Sequence, residues 1–224
     1  MTSLVKHQSI NRLLWTYGVF AVAMAYLEAT VVVYLRLLYY PEGFYFPMKI
    51  IPLKVAAIEL GREAATLVML WYVARMAGKS FREKFSLFAF TFGVWDIFYY
   101  VWLKALVNWP VSWTDWDILF LIPAPWIAPW LAPVLVSLAL IAGAVIVLKN
   151  PDRFGDKILA PKEWTGLLIG AALILASFFT ETGRVLRQGI PEHYHWWLFG
   201  LGYAAGWLVF LRKWRKIKNR KSPI

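Results

Sequence analysis

Apolar residues run along this chain in six long blocks, each about the 20 residues a helix needs to cross a bilayer. The blocks cover roughly residues 13–39, 52–76, 85–107, 118–148, 164–186 and 195–211. They predict an all-α, polytopic integral membrane protein: one six-helix bundle domain over 1–224, with a basic cytoplasmic tail at 212–224. The connections carry the polar, Pro and Gly residues, as in Pro41-Glu42-Gly43-Phe44-Tyr45-Phe46-Pro47. No repeat or low-complexity segment suggests a second domain.

The fourth block is irregular. Pro123, Pro125, Pro129 and Pro133 interrupt its first half, and each removes a backbone donor. Non-helical backbone at membrane depth persists only where protein or water covers it. Two arrangements satisfy this: a short element at 118–122 and a broken crossing before a regular helix from about Leu131 to Leu148, or a surface loop above the membrane. At the N-terminus, Lys6, Arg12 and the small-residue run Ala23-Met24-Ala25 imitate a cleavable signal peptide. The apolar run continues to Tyr40, however, which predicts an uncleaved first span.

Composition agrees with lipid as the solvent. The chain is 60% hydrophobic and 17% charged, against about 25% charged for soluble domains, and its mean hydropathy is +0.55. The formal charge of +11 would point to nucleic acid in a soluble protein. Here the basic residues gather in short connections and in the tail, and no basic-aromatic recognition element is present, so nucleic acid is not an expected partner. Assigning alternate connections to opposite sides puts 17 Lys and Arg on one side and 6 on the other, with Arg62 inside the membrane. That asymmetry predicts both termini on the cytoplasmic side of a cell membrane. Aromatic residues such as Tyr39, Trp109, Trp113 and Trp197 crowd the outer side, as in an interfacial belt. Cysteine is absent, which removes thiolate metal sites and Cys nucleophiles.

Ionisable residues inside the apolar blocks are the candidate chemistry. A charge at the bilayer centre costs roughly 2.5–3.5 kcal/mol on insertion scales. Glu28, Glu59, Arg62, Glu63 and Asp96 nonetheless lie well within the first three blocks. Their depths are similar, from the midplane toward the outer face, so they are expected to meet in one polar chamber. Glu59, Arg62 and Glu63 share a helix face at i, i+3, i+4, and Tyr100 lies four residues past Asp96. Four acids thus confront one base. Crowded acids can hold protons, a divalent cation can neutralise them through oxygen ligands, or Arg36 and Arg184 can complete a structural network. Glu28, Glu59, Glu63 and Asp96 are accordingly weak metal candidates, with no cofactor identified.

The expected rim or gate comprises Arg36, Trp126, Trp130, Glu181 and Arg184. His193-x-His195 is a weaker metal candidate near the outer surface, and Asp115 and Asp117 read as solvated or interfacial. Gly166-x-x-x-Gly170 and Gly202-x-x-x-Gly206 would let the fifth and sixth helices approach closely. No Gly-x-Ser-x-Gly or His-Glu-x-x-His motif appears. Three functions fit: a chamber binding or translocating a cation, proton or small cationic solute; an intramembrane enzyme using carboxylates, or a metal they hold, on a lipid or isoprenoid; and a non-catalytic subunit of a membrane complex. Membrane lipids and membrane-protein subunits are the expected partners.

Overall fold

The computed structural model describes residues 3–154 and 159–219. The chain is mostly helical, 74%, built from α1 (Ser3–Tyr39), α2 (Leu53–Ala77), α3 (Phe81–Val107), β1 (Trp116–Ile118), β2 (Ile127–Pro129), α4 (Leu131–Lys149), α5 (Pro151–Phe154), α6 (Pro161–Phe179), α7 (Thr182–Leu186) and α8 (Trp196–Asn219). The last tail residues, 220–224, and Lys157 of the charge count lie outside the described residues.

Among the described residues, four helical stretches are long and apolar enough to cross a membrane: Ile10–Tyr39, Phe81–Val107, Leu131–Lys149 and Pro161–Leu186. Of the six expected spans, α2 and α8 have the length, at 25 and 24 residues, but their charges lower their hydropathy. In α2 these are Lys54, Glu59, Arg62, Glu63 and Arg75, and in α8 the basic run from Arg212. The inward face of α2 bears Glu59, Glu63, Thr66, Leu70 and Ala74. Its outward face exposes Ile58, Val68, Met69, Tyr72 and Met76. Polar groups inside and apolar groups outside reverse the soluble pattern.

The architecture is consistent with the all-α expectation, with one short exception in the Pro-rich half of the fourth block. It is an antiparallel hairpin in which Trp116 pairs Pro129, Asp117 pairs Ala128 and Ile118 pairs Ile127. Leu119 N–H donates to Trp126 O at 2.8 Å and Trp126 N–H to Phe120 O at 2.7 Å, closing a turn that contains Pro123 and Pro125. Pro133 falls in the first turn of α4, where no intrahelical donor is needed. The prolines therefore occupy positions where a missing N–H costs little. The fifth block is also broken, α6 ending at Phe179 before the single-turn α7.

Helix α3 sits at the centre, packing against α1, α2 and α4, while α6 and α8 form a pair joined to the rest through α4 and the hairpin. Ser80 caps the start of α3 by accepting from Glu83 N–H at 3.2 Å, and Asn108 ends it in the left-handed region at φ 53°. At Gly93 a Cβ would stand 2.7 Å from Ser137 O, so the glycine lets α4 approach α3. The two glycine motifs meet as expected: a Cβ on Gly202 would lie 2.5 Å from Gly170 O, and one on Gly166 would lie 2.8 Å from Val209. Tyr17, Ala74, Leu87, Phe90, Ala144 and Leu148 pack into an apolar core at the end of the bundle away from the hairpin.

Candidate functional site

Between α1, α2, α3 and the hairpin lies a cavity of about 310 Å³. Its wall is set by helix periodicity: Glu59, Arg62, Glu63 and Thr66 follow one face of α2, Asp96, Tyr99 and Tyr100 come from α3, and Glu28 and Arg36 come from the C-terminal half of α1, with Tyr40 directly after it. The hairpin adds Asp117 to Leu121, and the 40–51 connection adds Phe44, Met48, Lys49 and Ile51. All six residues expected to bind a ligand, Glu28, Glu59, Arg62, Glu63, Asp96 and Tyr100, line this one cavity.

Arg62 is shared. Its guanidinium pairs with Glu28 of α1 and, at 2.9 Å, with Glu59 one turn back on α2. Thr66 donates its hydroxyl to the other oxygen of Glu28. These contacts bridge α1 and α2 across the cavity. Glu63 has no base. Both its oxygens accept from Leu121 N–H, at 3.0 and 2.9 Å, which fastens the hairpin to α2. Asp96 accepts from Ser137 of α4 at 2.8 Å. That bond follows from the close approach at Gly93, one turn back on the same face of α3.

Asp117 is a correction. Read as interfacial, it is 2% exposed, with Oδ1 accepting from Arg36 Nη2 at 3.1 Å. Burial pushes its carboxyl up from the ordinary range, and the adjacent Arg36 guanidinium pulls it back. Arg36 is held between rings, its Cζ 3.9 Å from the Trp109 centroid and 4.5 Å from that of Phe44, in cation–π geometry. A signal for this pair was present. Arg36 has no acid three or four residues away on α1, so burying it requires a distant one. Thr66 and Ser137, also unanticipated as partners, had weaker signals: Thr66 continues the charged face of α2, and Ser137 is the one hydroxyl in α4.

The expected rim separates into two parts. Arg36 lines the cavity, whereas Trp126, Trp130, Glu181 and Arg184 do not. Trp126 and Trp130 stand behind the wall, 5.3 Å from the Phe120 ring and 5.6 Å from the Tyr100 ring respectively. Glu181 and Arg184 pair with each other at 3.3 Å, and Arg184 also meets Glu192 at 2.6 Å. That cluster steadies the break between α6 and α8 instead of closing the chamber.

Among the described residues no group of three or more His, Asp or Glu is arranged to hold a metal ion. The carboxylates face one space, but Arg62, Ser137, Leu121 N–H and Arg36 occupy oxygens that a metal would need. His193 and His195 gather no third ligand. No family model, curated protein or solved structure matches the chain.

Proposed function

We propose that this is a six-span integral protein of the cell membrane, both termini cytoplasmic, whose acidic cavity faces outward and binds or translocates a proton, a cation or a small cationic solute. The observation that carries this reading is the charge of the cavity wall. Five carboxylates, Glu28, Glu59, Glu63, Asp96 and Asp117, face three cations, Arg36, Arg62 and Lys49, and Lys49 is exposed at the mouth. An acidic excess in a low-dielectric space attracts positive charge strongly.

Size and lining refine the ligand. About 310 Å³ exceeds what one bare ion fills and reaches the lower range of small-molecule pockets. Tyr39, Tyr99, Tyr100 and Phe120 offer ring faces suited to an organic cation. The topology is supported by the biased distribution of Lys and Arg, and the inside-out face pattern of α2 supports reading it as a fifth span despite its charges. In α8 the apolar half would cross and the basic half, from Arg212, would rest against anionic headgroups. Membrane lipid is then the immediate partner.

The test is binding of phenethylamine, a small aromatic cation, to the purified chain in lipid nanodiscs. Glu63→Gln and Asp96→Asn each keep side-chain shape and remove one negative charge. Both variants should fold and bind at least about fivefold more weakly, a 1 kcal/mol effect. Unchanged binding in both, or no binding by the parent chain, contradicts the proposal.

A further inference from the structure

Three buried side chains in the cavity wall, Arg36, Asp117 and Trp95, each leave one polar atom without a hydrogen bond among the described residues. Arg36 is 7% exposed and Asp117 2%. Their mutual bond uses Arg36 Nη2 and Asp117 Oδ1, and the other two ends, Arg36 Nη1 and Asp117 Oδ2, have no hydrogen-bond partner in good geometry, although the Tyr100 hydroxyl stands beside the Asp117 carboxyl. Buried polar groups are ordinarily satisfied, and each exception calls for an explanation. Here two of the three exceptions belong to one ion pair, one a charged donor and the other a charged acceptor.

The pair is also fixed in place. Phe44 and Trp109 hold the guanidinium by its faces, leaving its edge to make hydrogen bonds. Asp117 is held by the pairing of β1 with β2. Neither group can turn away to satisfy itself elsewhere.

We infer that the cavity recognises a small zwitterion, its oxyanion accepting from Arg36 Nη1 and its ammonium donating to Asp117 Oδ2. This deepens the proposed function and rests on it: the acid excess draws the ammonium, and the Arg36–Asp117 pair demands the oxyanion beside it. Arginine suits that role because its planar fork can serve Asp117 with one nitrogen and the ligand with the other. The ligand's charges sum to zero against a wall pair that also sums to zero, so its binding adds no uncompensated charge to the cavity. The same chemistry occurs in free amino-acid-like solutes and in the ammonium–phosphate headgroup of phosphatidylethanolamine.

Calorimetric titration of the full chain in phosphatidylcholine nanodiscs tests the inference with matched probes. Phenylalanine carries both charges, phenethylamine only the ammonium, and 3-phenylpropionate only the carboxylate; dihexanoylphosphatidylethanolamine supplies the lipid form. A zwitterionic probe, either phenylalanine or the short-chain lipid, should bind about tenfold tighter than phenethylamine, an added charge-assisted hydrogen bond's worth of affinity. Whichever of the two binds identifies the source. Arg36→Lys, which keeps the charge and loses the fork, should erase the zwitterion's advantage over phenethylamine when both are measured on that variant. Phenethylamine binding as tightly as both zwitterions overturns this inference and leaves the cation reading standing. Silence from all four probes overturns both. An equal loss for every probe in Arg36→Lys would show that the pair is purely structural, and would also overturn the inference. The comparison of probes on the parent chain needs no variant, so misfolding of Arg36→Lys does not remove the test.

Discussion

Replacing Arg62 by methionine keeps a long unbranched side chain and removes the base that joins α1 to α2. Arg62 meets Glu28 on one side and Glu59, at 2.9 Å, on the other. The carboxylate side chains are 8% exposed and that of Arg62 is 23% exposed. Removing one partner of a buried ion pair costs about 3–5 kcal/mol, because the remaining charge is left buried and unpaired. Two carboxylates are stranded here, which pushes the cost up. The partial exposure of Arg62 and the Thr66 hydroxyl that remains on Glu28 bring it down. The net expectation is about 3 kcal/mol for Arg62→Met. Adding Glu28→Gln should recover a substantial part, since the amide carries no charge and can still accept from Thr66. Reversible unfolding in mixed detergent–SDS micelles measures each variant, and the double-mutant cycle should give a coupling of about 1–3 kcal/mol. A loss below about 0.5 kcal/mol for Arg62→Met, with no coupling to Glu28, would place the pair among exposed ion pairs of little consequence. The account of the cavity as a desolvated polar network would then fail.

Gly202→Ala puts a methyl 2.5 Å from Gly170 O and 3.0 Å from Ile174 N, backbone atoms that cannot turn aside. It should destabilise by about 1–3 kcal/mol. Gly200→Ala, with nothing within 4 Å of its Cβ, should be neutral or stabilising by up to about 1 kcal/mol, and the same unfolding assay compares them. Ser137→Ala strips Asp96 of its 2.8 Å donor and should cost about 1–3 kcal/mol, an effect that Asp96→Asn in the same chain should reduce. Glu63→Ala frees Leu121 N–H, which now donates to both oxygens of Glu63. It should speed proteolysis within the 119–126 turn, whereas Glu63→Gln, still an acceptor, should not.

The long helices were legible because hydrophobic blocks of this length leave little alternative, and the close approach of α6 and α8 could be read from two glycine pairs. Charge content leaves α2 and α8, both expected as spans, outside the four helical stretches that are apolar enough among the described residues: the charges that build the cavity on α2 also depress its hydropathy. The hairpin was not legible. Its strands are three residues each, too short for an alternating pattern, and four prolines resemble an irregular crossing as much as a turn. Convergence of Glu28, Glu59, Glu63 and Asp96 followed from depth and helical spacing. Asp117 did not, because its burial depends on the hairpin folding back over α3. The rim assignment of Glu181 and Arg184 failed for a related reason. Equal depth does not imply adjacency when the α6–α8 pair stands to one side of the bundle.

A site for a charged solute requires an acidic space between α1 and α2 that is reachable from outside, beside an apolar exposed face only two residues away. Because the chain contains no cysteine, single thiols can be placed at Ala56, which lines the cavity, and at Ile58, which is 58% exposed on the apolar face. In proteoliposomes, labelling by externally added cationic aminoethyl and anionic sulfonatoethyl methanethiosulfonate would be timed, each rate normalised to that with free mercaptoethanol. The account predicts that Ala56→Cys reacts, roughly tenfold faster with the cation, while Ile58→Cys resists both reagents. An unreactive Ala56→Cys, or equal normalised rates for the two reagents, would contradict it.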